Sequence, residues 1–547
     1  LGQWWFFLPV LFPDFLRCAQ LIESFSTCLK ELRPSVVRVA NLYCHEEFPL
    51  RLDLDTNLPI KILVAVCQNK KIPIEGFSVR LYEKLNNLFR TKAYSIGIWV
   101  YYAFLWPVIS VIRILISLKN TKHNEGDNTK IALISCPVYW RLCMSVEGNI
   151  LVDDAIAGTS MSELKERNYD IIGIDVDLSK PNIEQFFALN EKVGRNNIRW
   201  KALECYNQTI YLKNKNAKRR VDNLRKKIST EDIIKRGIKY QGIDIGSIMR
   251  GRLNYIFRYY SYQVLGYYDS IERMVKSENV KAIVIVYEEG PAGRSAIYVG
   301  DKKEIPTIAL QHGNLTSPHT PAYYMKDCSR KPFMKPTKCP IPTKTVIYGK
   351  ETSQMLVDQS AYQSEDVSIV GMPAYDGIAK LRNKISKEDS KSFLGLEIDL
   401  PLVVVISQPF QNSEYRASFI NTIKHAIEQM PSYVQWVIKV HPSEIAKTWS
   451  TVVNNYENVQ ICHGDLLNLL SASSVIISWY STVIFEAVLM QRPVVSFSIP
   501  GCMEHVSYIK DGLVVHANTI EEVADVTLEL LTNFKSTEFD VKGVKGN

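Results

Sequence analysis

Two stretches near the carboxyl end of this 547-residue chain carry side chains suited to holding a phosphate and releasing it. In VIKVHPSE a strand delivers Lys439 and His441, two residues apart, to the same side, and Pro442 stops the strand. Lysine brings a compact positive charge; histidine donates a proton or a hydrogen bond to a departing phosphate. In SWYSTVIFEAVLMQRPVVSF the apolar VIIS just before it is a buried strand and TVIFEAVLM a helix, so Ser478, Ser481 and Thr482 fall in the turn between them. Free backbone N–H groups and the positive end of the helix dipole make that turn an anion site, to which hydroxyls add hydrogen bonds without charge. Glu486 follows Thr482 by one turn on the same face, where a carboxylate would accept from the two hydroxyls of a ribose. Gly371, in GMPAYDG, provides a glycine turn after a strand that lets a diphosphate approach the backbone. The plainer reading is that Ser481 or Thr482 only caps the helix and that Glu486 is solvated.

A second set lies upstream, in YEEGPAGR and QHGNLTSPH. Adjacent carboxylates such as Glu288 and Glu289 at a buried strand end raise one pKa toward neutrality, as a general base requires. Neighbouring residues of a strand point opposite ways, so one of the two is structural. Arg294, just beyond, offers an alternative, a salt bridge in place of a base. His312 opens the other loop. Asp175 and Asp177 form an Asp-x-Asp triplet, the signature of a metal-dependent transferase and also a common acidic strand edge.

The elements that must position these residues alternate between strand and helix. KIALIS, YDIIGIDVDL, VKAIVIV and PTIAL read as strands of a first βαβ domain over residues 130–335. KTVIYG, VSIVG, PLVVVIS, YVQWVIKV, VIIS and PVVSF read as strands of a second over 340–535, with SRKPFMKPTKCPIPTK as the break and 536–547 as a tail. Strand, crossover helix and strand give parallel sheets, whose chemistry sits in the loops after the strands' carboxyl ends. Two Rossmann-like domains in series predict a ligand in the cleft between them. The N-terminal LRPSVVRVANLYC and ILVAVCQNKKIPIEG parallel ENVKAIVIVYEEG and SAIYVGDKKEIPTIALQHG as a degenerate repeat, with chance similarity as the alternative.

KVHP, SWYSTVIFEAVLMQRPVV, LQHGN and YEEG together make the chain resemble glycosyltransferases of the GT-B architecture. The similarity is to capsule and surface-polysaccharide enzymes, bacterial polysialyltransferase-like proteins and CDP-glycerol glycerophosphotransferases, and it covers roughly residues 130–534. It implies transfer of a sugar or polyol phosphate from a nucleotide-activated donor to an acceptor hydroxyl without a metal or cofactor. By that resemblance Glu288, Glu289 and Gly290, His441 and Pro442, and Ser481 and Thr482 match the sialyltransferase-type active site, whereas His312 and Gly313 match the catalytic His-Gly of the glycerophosphate enzymes. The nucleotide falls to Lys439, Ser481, Thr482, Glu486 and Gly371. A UDP-sugar 2-epimerase-like enzyme and a non-catalytic surface-glycan assembly protein are the alternatives.

Composition sets the surroundings. A formal net charge of +8 suits phosphate-bearing ligands or an anionic membrane, but the basic residues are scattered and do not indicate nucleic acid. The densest run, KNKNAKRRVDNLRKK, reads as a solvated helix face. Eleven cysteines without a CxxC pair fit a reducing, cytoplasmic compartment, and Leu1 in place of Met suggests a fragment or processed form. Within the N-terminal extension, 1–125, the segment Tyr94–Leu118 carries one charge, Arg113, between the basic flanks Arg90, Lys92, Lys119 and Lys122. Its aromatic residues and Pro107 favour contact with the inner face of the cell membrane, ahead of a true span or a buried core helix.

Overall fold

The computed structural model describes residues 8–40, 58–77, 106–118, 130–145, 150–176, 189–193, 198–206, 219, 223, 239–248, 261–288, 290–313, 341–408, 413–441, 444, 446–462, 466–479, 481–499 and 512–533. Glu289, Asp177, Pro442, residues 94–105 and nearly all of the basic run at 213–227 lie outside them.

The chain begins with α1 (Leu8–Leu32), β1 (Val37–Ala40), α2 (Leu58–Asn69) and β2 (Ile74–Phe77), in which α1 packs on α2 and β1 pairs parallel with β2. After α3 (Trp106–Leu118) come β3 (Lys130–Ser135), the antiparallel hairpin β4 (Trp140–Met144) and β5 (Ile150–Asp154), α4 (Gly158–Glu166), β6 (Asp170–Asp175) and β7 (Arg199–Ala202). A two-residue hairpin, β8 (Lys239–Tyr240) with β9 (Ile243–Asp244), precedes α5 (Ser261–Ser277), β10 (Val280–Ile285), α6 (Pro291–Lys303), β11 (Thr307–Leu310), β12 (Lys344–Ile347), α7 (Lys350–Gln359) and β13 (Val367–Ile369). The remainder runs α8 (Pro373–Leu381), α9 (Lys387–Phe393), β14 (Leu402–Ile406), α10 (Ser413–Gln429), β15 (Gln435–Lys439), β16 (Val459–Cys462), α11 (Leu466–Ala472), β17 (Val475–Ser478), α12 (Val483–Leu489), β18 (Val494–Phe497), β19 (Val515–Ala517) and α13 (Ile520–Asn533).

Two wholly parallel sheets result. The first is ordered β13-β12-β11-β10-β3-β6-β7 and the second β16-β15-β14-β17-β18-β19. Both are doubly wound α/β layers, with apolar clusters on the two faces of each sheet. Val403, Val404 and Val405 are all fully buried, the continuous apolar run that a strand covered on both faces requires. In each sheet the strand order reverses once, between β3 and β10 and between β14 and β17. Loops leaving the carboxyl ends of such a pair open a crevice.

The expected boundary near 335–340 moves. KTVIYG and VSIVG are β12 and β13, and both pair in the first sheet; the second sheet starts only at Leu402. A βαβ alternation reads the same whether the next strand extends one sheet or founds another, and the proline-rich basic loop falls inside a domain.

One helix-to-strand joint occurs three times. Lys71 before Ile72-Pro73, Glu304 before Ile305-Pro306 and Gln491 before Arg492-Pro493 have φ of 57°, 57° and 55°. In each, the next residue's N–H closes on a carbonyl five residues back: Ile72 on Cys67 (2.9 Å), Ile305 on Gly300 (2.7 Å) and Arg492 on Ala487 (2.9 Å). This left-handed cap ends the helix, and the proline that follows needs no N–H. Its carbonyl accepts from the partner strand in all three, from Val37, Ile283 and Ile476. The first two are the copies of the degenerate repeat, which thus share strand pairing, cap and register.

Helix α3 docks on the first domain through its only charge. Arg113 is buried and donates to Asp175 (2.8 Å) and Glu204 (3.0 Å), while Lys192 reaches the other Asp175 oxygen at 2.6 Å. The opposite face holds Val108, Val111, Ile112, Leu115 and Leu118, each 41–57% exposed. Among the described residues no helix is long and apolar enough to cross a membrane.

Candidate functional site

The crevice of the second sheet collects the polar residues of the KVHP and SWYST stretches. Ser407 and Gln408 follow β14, Lys439 ends β15 with His441 just beyond, and Ser478 ends β17, paired with Ile406 across the strand reversal. Ser478 Oγ and Gln408 Oε1 are buried without a hydrogen-bond partner among the described residues. Each such atom costs about 1–3 kcal/mol unless a ligand or water meets it.

His441 is fixed by its backbone. Its N–H donates to Ser407 Oγ at 2.9 Å, Ser407 Oγ donates to Glu444 Oε2, and the Glu444 N–H closes the turn on His441 O at 2.9 Å. Burial pushes the His441 imidazole below the ordinary histidine range, and the charges of Arg141 and Lys439 push it the same way. Lys439 is depressed by burial and by Arg141. Glu486 retains partial solvent access, yet burial raises its carboxyl to about 7, with Arg141 pulling against that rise. Lys439, His441 and Glu486 therefore lie within the field of one guanidinium, and that guanidinium belongs to β4 of the first domain.

Ser481 and Thr482 stand at the start of the helix that carries Glu486. Ser481 Oγ accepts from Val483 N at 3.2 Å, so the capping role falls to Ser481, while the Thr482 side chain makes no capping bond. Gly371, with φ of 74° and open space beyond its Cα, turns the chain from β13 into α8. Since α8 packs against both β4 and α12, this turn is where the chain crosses between domains.

In the first domain, His312 lies edge-on to Tyr287 (5.0 Å between centroids) and to Tyr139 (5.9 Å). Tyr348 pins its loop: the hydroxyl donates to Gln311 O at 2.7 Å, and Gln311 Oε1 accepts from Tyr348 N at 2.8 Å. Tyr348 also leads across the cleft to Tyr375 (6.1 Å), which continues to Phe485 (6.3 Å), the neighbour of Glu486. An aromatic path thus joins the His312 loop to the Glu486 helix. Glu288 is buried, and its Oε2 accepts from Tyr362 at 3.3 Å, inside the first domain's core. Gly293, in the first turn of α6, packs directly on this corner: a Cβ there would lie 2.1 Å from Tyr287 O. Arg294 is fully buried beside it.

Asp175 is not free to hold a metal. Burial alone would raise its carboxyl, but Lys192 and Arg113 outweigh that and hold it below the usual carboxylate range. The first half of the Asp-x-Asp triplet is thereby a buried ion-pair centre.

Reasoning from sequence missed Arg141, Ser407, Glu444 and Tyr348. Glu444 stands three residues after His441, a spacing that could have suggested the turn. Arg141, in YWRLCM, carries no such mark, since only the packing of β4 against α8 aims it at the second domain.

No protein-family model matches the chain, and no curated protein sequence matches it. Similar solved structures include a UDP-GlcNAc 2-epimerase from Methanocaldococcus jannaschii in complex with UDP-GlcNAc and UDP, at 13% identity and a TM-score of 0.45, covering 77% of this chain and 96% of that one. A glycosyltransferase from Rickettsia africae matches at 12% identity and a TM-score of 0.42 over 76% and 90%, and MurG from Acinetobacter baumannii at 10% and 0.36 over 74% and 93%.

Proposed function

We propose that this chain is a glycosyltransferase that moves a sugar, or a polyol phosphate, from a nucleotide-activated donor to an acceptor hydroxyl. The observation that carries the reading is the group Arg141, Lys439, His441 and Glu486 at a strand-reversal crevice, beside Ser478 and Gln408, whose Oγ and Oε1 have no partner among the described residues. One guanidinium acting on Lys439, His441 and Glu486 alike, with the carboxyl raised to about 7, favours an anion. In this reading Lys439 holds a donor phosphate, His441 hydrogen-bonds the leaving oxygen, and Glu486 takes the ribose hydroxyls. Ser481, Thr482 and the Gly371 turn border the nucleotide. His312, oriented by two aromatic rings, is the candidate base; Glu288 and Glu289 are the other candidates, and the Tyr362 bond gives Glu288 a supporting role.

Surface-polysaccharide synthesis at the inner face of the cell membrane is the proposed setting. The outer face of α3 supplies the apolar contact, and Arg90, Lys92, Lys119 and Lys122 supply attraction to anionic headgroups. Flotation of the full chain with anionic vesicles, lost in Val111→Asp/Leu115→Asp, checks this.

The decisive experiment for function is a thermal-shift screen of the full chain against UDP, CMP, CDP and GDP, repeated with Glu486→Ala. A shift with one nucleotide, lost in the variant, supports the reading; silence toward all four overturns it. Donor consumption that depends on an added acceptor separates transfer from epimerisation. Surface polymer unaffected by His441→Gln would leave an assembly role instead.

A further inference from the structure

Arg141 stands apart from the other buried or crevice-lining cations. Arg113, Lys192, Lys391 and Arg492 each hold carboxylates or carbonyls. Arg141 is exposed and forms no hydrogen bond or ion pair among the described residues. Its placement is nonetheless firm. The preceding Trp140 is rooted in the first domain's core, with Nε1 donating to Glu191 at 3.1 Å and the ring set edge-on to Trp200 at 6.0 Å. Successive side chains of a strand point to opposite faces, so burying Trp140 turns Arg141 outward. The returning strand is fixed at Asp154, whose carboxylate accepts from Ser135 Oγ and from the N–H groups of Ile156 (3.0 Å) and Ala157 (2.9 Å). Asp153, opposite Arg141 in the ladder, is buried, accepts from Asp154 N at 2.7 Å and fills the space beside Gly158.

A hairpin anchored in one domain therefore presents a guanidinium to the other through the packing of β4 on α8, and its charge together with burial disfavours the cationic forms of Lys439 and His441 there. Glu486 forms no ion pair with it, so the charge of Arg141 is not neutralised there. An anion placed among these side chains would stabilise the cationic forms of Lys439 and His441, and a planar five-donor fork is suited to phosphate oxygens. We propose that Arg141 is a ligand for the donor's phosphate, supplied by the first domain to an anion held on the second, so that the charge of the bound nucleotide joins the two domains. This rests on the functional reading above and extends it, because phosphate rather than base or sugar becomes the element that spans the cleft. A nucleoside lacking phosphate would occupy the second domain alone.

The test measures binding to the full chain and its Arg141→Gln variant by calorimetry, with three probes: a nucleoside diphosphate that shifts the wild type, the corresponding nucleoside, and inorganic pyrophosphate. The variant folds as wild type, since the side chain has no internal bond to lose, and an unchanged melting temperature verifies this. Diphosphate and pyrophosphate affinities fall about 10- to 100-fold in the variant, nucleoside affinity stays within about twofold, and Arg141→Lys is intermediate. Equal diphosphate affinity in the two proteins overturns the Arg141 assignment and leaves the functional reading intact. Pyrophosphate binding that depends on Arg141, with no nucleotide bound by the wild type, does the reverse. If Glu486→Gln reproduces the loss for pyrophosphate as well, Arg141 acts through Glu486 and the direct contact is refuted.

Discussion

The two domains share one strand order and treat their strand-end polar groups in opposite ways. In the first, three buried carboxylates are matched: Asp175 by Arg113 and Lys192, Asp154 by Ser135 and two N–H groups, and Glu278 by Lys130, Arg199, Lys201 and Tyr206; Asp301 in α6, raised to about 6 by burial, is the exception away from the strand ends. Despite burial, Glu278 is held down to about 2, chiefly by its bonds to Lys201 and Tyr206. In the second, Glu486 rises to about 7, Lys439 and His441 are depressed, and Ser478 and Gln408 are orphaned. Equivalent folds need equivalent cores, not equivalent electrostatics. Where such shifts meet orphaned hydroxyl and amide groups at a strand-reversal crevice, a ligand would restore the balance.

The comparison breaks first at His441. His441→Gln is expected to lower donor turnover by about 10²- to 10⁴-fold with little change in unfolding midpoint; a matching loss of stability would make the residue structural. Asp175→Asn in the first domain should do the opposite, costing roughly 3–5 kcal/mol in urea unfolding because Arg113 and Lys192 lose their shared partner.

Glu278 and Glu486 sharpen the contrast through pH. The folded pKa of Glu278 lies below the unfolded value, so its contribution is present above about pH 4.5 and is lost as pH falls through about 2. Glu486 lies above its unfolded value, so its favourable contribution is complete below about pH 4.5 and is lost as pH rises through about 7. At pH 8, Glu278→Gln should therefore destabilise and Glu486→Gln stabilise the ligand-free chain, each by roughly 3 kcal/mol, from denaturation curves collected across that range. Equal signs would refute the division between domains. A smaller pair tests the hydroxyls. Ser135→Ala should cost about 1–3 kcal/mol by stranding Asp154, whereas Ser478→Ala should be neutral or stabilising by about 1 kcal/mol.

Sequence pattern made the fold largely legible. Apolar runs located most of the strands of both sheets, and KVHP with SWYST are both placed at the strand reversal of the second sheet, because strand-end position is local to a few residues. What pattern could not supply was anything set by distance in space. It did not assign β12 and β13 to the first sheet, find the partners of Asp175, or show Arg141 reaching from a hairpin to α8. Tyr94–Leu118 shows both sides of this. Its aromatic residues suggested a membrane contact; what they could not show is that two buried carboxylates far along the chain fix Arg113 and that the opposite face of α3 is apolar and exposed.

The three Pro-terminated joints offer a measurement that few single chains permit. Lys71, Glu304 and Gln491 hold the same left-handed torsion, in the N-terminal unit and in each of the two domains. Substituting glycine at each should stabilise the chain by up to about 1 kcal/mol where the side chain contributes nothing else. Three such values, compared in pairs and all together, would report how tightly each unit's unfolding is bound to that of the whole. A gain that registers in the global transition from all three sites would mean that the N-terminal unit melts with the domains; a gain at Lys71 that does not would mean that it comes apart by itself.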